Sequence, residues 1–424
     1  MNHETYDIIG IGIGPFNLGL AALSSEIAAL KTIFFDKNES FNWHAGMMID
    51  GTRLQVPFHA DLVTQVNPQS PFSFLSYLKA VKRLYRFTIL EEYFPLRKEY
   101  NDYLRWVIAS LDNLHFGCCC QNIVYNYALG CYEVEIQRNT GTEIYLAKHI
   151  VLGVGTIPYI PAACEINSEA VFHSSEYLYK KESLKQKQDI TIVGSGQSAA
   201  EIFADLLEPC WHRGQKLSWY TGSWRFFPMD YSKFSLELTS PYYVDHFFGL
   251  GESIKKELLD RQSILYKGIN NSLIDSIYNT LYMLSLEEDF KERIVIKPNC
   301  PVTEVREGEG RILCRFEHRE TGKSFSHVTD ALVLATGYCY KTPECLYPIR
   351  DIIRWDKQSR YKVGRNYSID KHSTLFVQNA EMHTHGFNAP DLGMGPYRNA
   401  VILNAILKYE HFQTEDEVPF QTFG

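Results

Sequence analysis

One pattern occurs twice in this chain and restricts its fold more than any other: an apolar strand, a glycine-rich turn and a helix. In the first copy the run Ile8, Ile9, Ile11 leads into Gly10, Gly12 and Gly14, and helical spacing follows through Leu18, Leu20, Ala21, Leu23 and Ile27. A second apolar run then closes at Asp36. That order is the first βαβ unit of a dinucleotide-binding fold. Gly12 and Gly14 let backbone N–H groups approach a pyrophosphate at a helix N-terminus, where aligned peptide dipoles favour negative charge. Pro15 falls in the first helical turn, where a missing N–H costs nothing. Asp36 lies near the roughly 20-residue offset expected of a ribose-binding carboxylate. The second copy runs from Asp189 to Val193, through Gly194-x-Gly196-Gln197-Ser198-Ala199, into a helix to Leu207 and a strand from Leu217 to Tyr220. Two such units imply two nucleotides in one chain, one a flavin and the other a nicotinamide.

Between and after the copies the patterning changes. Phe72 to Tyr85 and Arg97 to Leu111 have helical spacing, and Ile123 to Ile136 and Glu143 to Ala147 alternate like antiparallel strands. Trp224 to Phe290 is rich in Phe, Tyr and Leu at helical spacing, as a helical substrate lid would be. Asp330 to Tyr338 repeats the strand-then-glycine ending of Ile150 to Gly155 and is expected to return the chain to the first domain. The expected fold is therefore α/β: two Rossmann-like dinucleotide-binding domains with a helical insertion. The expected boundaries are 1–165 with 330–424 for the first nucleotide domain, 166–225 with 291–329 for the second, and 226–290 for the substrate region.

The net charge of −8, without a Lys/Arg cluster, argues against nucleic-acid binding. No apolar run reaches membrane-spanning length and the first residues lack a signal-like pattern, so no membrane and a cytoplasmic setting are expected. The 10 cysteines include no CxxC or CxxxxC, which argues against a flavoprotein disulfide reductase. Cys118-Cys119-Cys120 alternate across a strand and cannot converge on one metal, so no metal site is expected.

Further motifs span nearly the whole chain: Gly12-Ile-Gly14-Pro-Phe-Asn17-Leu, Phe41-Asn-Trp43-His44, Asp61-Leu-Val63, Arg97-x-Glu99-Tyr-x-x-Tyr103, Asn270-Asn-Ser272, Ala335-Thr-Gly337-Tyr338 and His383-Thr-His385-Gly386. Together they resemble the flavin- and NADPH-dependent N-hydroxylating monooxygenases of siderophore biosynthesis, which act on lysine, ornithine or diamines. The resemblance implies that a flavin hydroperoxide, formed with molecular oxygen, hydroxylates a neutral primary amine, with no protein nucleophile. It implies FAD contacts from Gly12, Gly14, Pro15, Phe16, Asn17, Asp36, Lys37, Trp43, His44, Gln55, Arg97 and Leu392. It implies NADPH contacts from Gly194, Gly196, Gln197, Ser198, Arg225 and Tyr338. Relatives commonly form dimers or tetramers, so a homo-oligomer is expected.

Two departures bear on the substrate. Amino-acid-specific members carry a Lys before Asp-Leu-Val, where this chain has Ala60, and an Asn where it has Leu236. A substrate α-carboxylate left without its cation would be buried unpaired, a penalty of about 1–3 kcal/mol. A diamine such as cadaverine or putrescine has no carboxylate to leave unpaired. Its distal ammonium needs an anion, for which Asp391 and Glu237 are candidates. Asn270 is a candidate for substrate or nicotinamide contact, or alternatively an N-cap for the helix beginning at Ser272. A third departure concerns the dinucleotide. Where relatives often place an Arg to meet a 2′-phosphate stands Gly222, with Arg225 and Lys233 as nearby substitutes.

Overall fold

The computed structural model describes residues 4–164, 168–308, 310–415 and 419–424. The chain opens with β1 (Thr5–Ile11), α1 (Pro15–Ser25) and β2 (Thr32–Phe35), followed by α2 (Phe74–Ala80), α3 (Leu84–Leu90) and α4 (Arg97–Ala109). It continues through β3 (Leu114–His115), β4 (Cys119–Asn126), β5 (Cys131–Arg138), β6 (Gly141–Leu152) and β7 (Ile157–Pro158). The second unit contributes β8 (Val171–His173), α5 (Tyr177–Leu184), β9 (Asp189–Val193), α6 (Gln197–His212) and β10 (Lys216–Tyr220). A helical stretch follows: α7 (Lys233–Leu236), α8 (Pro241–Gly249), α9 (Glu252–Arg261), α10 (Asn271–Leu284) and α11 (Phe290–Arg293). Strands β11 (Ile294–Lys297), β12 (Val302–Gly308), β13 (Arg311–His318), β14 (Lys323–Thr329), β15 (Ala331–Leu334) and β16 (Tyr338–Cys339) come next. The chain closes with β17 (Leu375–Val377), α12 (Met382–His385) and α13 (Gly395–Leu407).

Two sheets organise these elements, the first mixed and the second all parallel. The first has the order β3-β2-β1-β6-β5-β4, with β17 also paired to β6. It thus joins both ends of the chain. Ile8, Ile9, Ile150 and Val151 are wholly buried, as central strands covered on both faces require. The second sheet has the order β11-β10-β9-β15-β8, and β12-β13-β14 form a separate antiparallel sheet.

The expected boundary at 330 needs correcting, because β15 pairs in parallel with both β9 and β8 and so belongs to the second sheet. Its four residues are all buried, which a position between two strands demands and a boundary strand would not. The chain crosses back only at β16, which pairs antiparallel with β7, so the outgoing and returning connections lie side by side. The expected boundary at 165/166 lies outside the described residues.

The Phe72–Tyr85 helix is also two helices. Lys82 adopts a left-handed backbone (φ 59°) and breaks the run between α2 and α3. Glu143–Ala147 and Ile150–Leu152 form one long strand, β6, rather than two. The helical character of 226–290 agrees with α7 to α10.

Candidate functional site

Both glycine turns have the geometry a dinucleotide needs. Gly12 has φ 88°, and a Cβ there would lie 2.5 Å from the Gly153 carbonyl oxygen; Gly194 has φ 155°, and a Cβ would lie 2.2 Å from the Ala335 carbonyl oxygen. Only glycine fits either position. The turns lead into α1 and α6, whose N-caps, Gly14 and Gly196, offer no side-chain acceptor. First-turn N–H groups are left for an anion. Ser198 is half-buried in the first turn of α6. Asp36 ends β2 with one carboxylate oxygen accepting from the Ile13 N–H at 2.8 Å and the other from the Asn38 N–H at 2.8 Å. The carboxylate therefore sits beside the first turn, while Lys37 is exposed. Pro15, Phe16 and Leu392 line a narrow cleft with Asp61, Leu62 and Tyr100. Phe16 is held from behind by the Arg398 guanidinium, 4.3 Å over its ring. The bare first-turn N–H groups and the adjacent Asp36 carboxylate suit a dinucleotide's pyrophosphate and ribose.

Asn17 acts differently from the expectation. Its side chain is wholly buried, with Nδ2 donating to Gly12 O at 2.8 Å and also reaching Ile11 O and Val151 O, while Oδ1 accepts from Gln378 at 2.7 Å. Every polar atom of that amide is engaged within the protein, so the side chain pins the glycine turn to β6 and the strand-end segment after β17 rather than touching a cofactor.

At the meeting point of the two units, Trp43 and His44 pack ring to ring (4.8 Å), and His44 faces Tyr338 of β16 at 6.0 Å. Surrounding protein, and secondarily the Arg97 charge, pushes the His44 pKa down to about 4. The imidazole is therefore neutral at neutral pH.

Arg97 bridges the two units. Its guanidinium donates Nη1 to Glu201 at 3.0 Å and Nη2 to Glu201 at 2.7 Å, and Nη1 also meets Met47 O at 2.7 Å. Both side chains are largely shielded, at 12% and 2% exposure. The pair ties α4 of the first unit to α6 of the second. Gln197 continues the chain of contacts. Its Nε2 donates to Glu201 at 2.9 Å, and its Oε1 accepts from the Asn270 N–H at 2.9 Å. Gln55 Nε2 reaches Asn270 Oδ1 at 3.0 Å and Gly268 O at 3.1 Å, and the Tyr231 hydroxyl donates to Gln55 O at 2.9 Å. Asn270 occupies the N-cap position of α10, yet its side chain makes no capping bond. The polar network claims it instead. Glu201 lies one helical turn after Gln197, a spacing that could have flagged it. Tyr231 carries no comparable sequence signal.

The substrate candidates separate. Ala60 is buried, and its methyl and the Asp391 carboxylate both lie near Gly393. A Cβ built at Gly393 would be 3.4 Å from Ala60 Cβ and 3.1 Å from Asp391 Oδ1. Burial raises the Asp391 pKa, opposed by the N–H groups of Met394 and Gly393 and by the Arg398 charge. Among the described residues no side chain forms an ion pair with it. Tyr231 and Tyr100 both feel its charge. A cleft of about 520 Å³ opens along Arg225, Phe227, Met229, Asp230, Tyr231 and Asn271.

Leu236 is exposed on α7. Glu237 is committed elsewhere. One carboxylate oxygen accepts from the Phe420 N–H at 3.0 Å, and the other accepts from the Gln421 N–H at 3.1 Å and the Gln421 side chain at 2.9 Å. It clamps the C-terminal tail. Arg225 is exposed and stacks over Trp224 and Phe227 at 4.7 and 4.5 Å. Among the described residues no helix is long and apolar enough to cross a membrane, and no group of three or more His, Cys, Asp or Glu could hold a metal.

Comparison with known proteins extends this picture. The family description L-lysine 6-monooxygenase/L-ornithine 5-monooxygenase matches residues 4–340. The chain is similar to a putrescine N-hydroxylase of Acinetobacter baumannii, 43% identical over 423 residues, covering 100% of this chain and 94% of that protein. Its structure is similar to the FAD-bound cadaverine monooxygenase of the desferrioxamine pathway of Erwinia amylovora, with TM-score 0.96, 44% identity and 99% of each chain covered. It also resembles the ornithine N-hydroxylase of Kutzneria sp. 744 solved with reduced FAD, NADP+ and L-ornithine, with TM-score 0.87, 27% identity, and 96% of this chain and 99% of that chain covered.

Proposed function

Because the chain belongs to the L-lysine 6-monooxygenase/L-ornithine 5-monooxygenase family, we propose that it N-hydroxylates one primary amine of a short diamine, cadaverine or putrescine, in hydroxamate siderophore biosynthesis. The observation that carries the choice of substrate is Asp391. It is a half-buried carboxylate that forms no ion pair with a side chain among the described residues, near Ala60, where amino-acid-specific relatives place a Lys. A buried carboxylate gains most from a charge-assisted partner. The distal ammonium of a diamine supplies that partner, whereas an amino-acid carboxylate would meet like charge.

When bound, FAD and NADPH would supply the reduction and the activation of dioxygen. The turns at Gly12 and Gly194 would hold their pyrophosphates, and Asp36 the FAD ribose. The protein's remaining task is to bring an uncharged amine to the reacting centre. A free aliphatic amine has a pKa of about 10.4, and a desolvating pocket favours its neutral form. Gln55, Asn270 and Tyr231 form one hydrogen-bonded polar network, and neutral His44 adds no competing positive charge. We take the enzyme to work in the cytoplasm as a dimer or tetramer. Support for association comes from the uncovered apolar face of α3, where Tyr85 and Ile89 are 81% and 78% exposed.

The test is an assay for hydroxylamine product across putrescine, cadaverine, lysine and ornithine, with NADPH and NADH compared. Turnover confined to the diamines is expected. Preferential turnover of either amino acid would overturn the substrate reading.

A further inference from the structure

The segment after the second strand of a Rossmann unit is where a ribose 2′-phosphate is told from a 2′-hydroxyl, by an arginine for the former or a carboxylate for the latter. After β10 this chain offers Thr221, Gly222 and Ser223, neither cation nor carboxylate. Position 222 is also crowded. A Cβ there would sit 3.2 Å from Pro301 Cβ and 3.3 Å from Pro301 Cα, so a side chain would need Pro301 to give way slightly. The crowding arises because residues 299–301 run alongside. The Asn299 N–H donates to Ser223 O and the Cys300 N–H to Thr221 O, both at 2.7 Å.

The missing guanidinium is supplied from another sheet. Arg319 lies in the turn between β13 and β14, at the same end of the unit where β11 gives way to Pro301. Its own N–H donates to Asn299 O at 3.0 Å, and its Nη1 donates to Gly222 O at 3.0 Å. That bond uses one of five guanidinium donors and leaves the others for an anion. Arg319 is exposed, as is Arg225 three residues beyond Gly222, and among the described residues neither pairs with a carboxylate.

We propose that Arg319, reaching in from the β13–β14 turn, is the residue that recognises the 2′-phosphate of NADPH, with Arg225 as its partner across Gly222. The assignment rests on the two-nucleotide reading and deepens it. Cofactor preference is set by a side chain from the antiparallel sheet, anchored to Gly222. Its planar fork suits phosphate, whereas a lysine would offer only a point charge.

The experiment is equilibrium binding of NADP+ and of NAD+ to the FAD-loaded protein by calorimetry, for wild type, R319A, R319Q and R319K. Two charge-assisted hydrogen bonds lost should weaken NADP+ about ten- to a hundredfold in R319A and R319Q. NAD+ affinity should stay within about twofold, and R319K should recover part of the loss. R319Q keeps a side-chain amide able to bond Gly222 O, so it carries the test if R319A does not fold. Unchanged NADP+ affinity in R319Q, or equal losses for NADP+ and NAD+, would overturn the assignment. Those results would leave diamine hydroxylation standing, whereas a wild-type protein that bound neither dinucleotide would overturn both.

Discussion

Removing the Arg97 guanidinium should loosen the contact between the two nucleotide units without touching either glycine turn. In Arg97→Met the stem is kept, but Glu201, with its side chain 2% exposed, loses both of its guanidinium bonds. Gln197 Nε2 remains as a donor at 2.9 Å, so the carboxylate is not stripped completely. Breaking a buried pair by deleting one partner costs about 3–5 kcal/mol, and the surviving bond places this case near the lower bound, about 3 kcal/mol. Replacing both partners, in Arg97→Met/Glu201→Leu, removes the uncompensated charge and should return most of that loss. The assay is urea unfolding of the FAD-loaded protein, followed by flavin fluorescence and far-UV circular dichroism. A loss below about 1 kcal/mol in the single variant, or a double variant worse than the single, would refute the view of this pair as the buried tie between the units.

Other predictions follow from the same geometry. Gly194→Ala forces a Cβ to within 2.2 Å of Ala335 O; NADP+ binding measured by calorimetry should be lost while the protein stays yellow. Ala60→Lys places an ammonium beside Asp391, so the KM for cadaverine should rise at least about tenfold; an unchanged KM would show that Asp391 does not hold the substrate. His385 is buried, and burial pushes its pKa down to about 3. Between pH 3 and its ordinary value of 6.5 the unfolded chain binds the extra proton, so stability present above pH 6.5 is lost as pH falls through that window. His385→Gln should flatten the fall in Tm between pH 6.5 and 4.5, and an unchanged slope would exclude this residue as its source.

The two glycine turns were legible because they are local. A strand, a turn and a helix N-terminus are adjacent in sequence, and the chemistry of phosphate binding restricts their residues. The substrate contrast was legible only through the departures at Ala60 and Leu236, which left two carboxylates open, Asp391 and Glu237. Nothing local reveals that Glu237 meets Phe420 and Gln421, because a contact between residues so distant in the chain leaves no periodicity. The strand Ala331–Leu334 was recognised but misassigned, since its apolar run reads alike in either sheet and only pairing to β8 and β9 decides. Tyr231 and Glu201 were missed for the same reason. Their partners lie across the unit boundary, and a lone Tyr or Glu in an ordinary helix or loop carries no signal. The break at Lys82 was missed because a left-handed lysine has no sequence signature of the kind glycine provides.

The central claim is that Asp391 turns a family scaffold into a diamine enzyme, and it is tested most directly by Asp391→Asn compared on two substrates of equal length, cadaverine and pentylamine. Hydroxylamine formation is measured as kcat/KM for each. The wild type should favour cadaverine, and the substitution should abolish that advantage, lowering kcat/KM for cadaverine about ten- to a hundredfold with pentylamine nearly unchanged. Equal losses on both substrates, or an undiminished preference for cadaverine, would contradict the account.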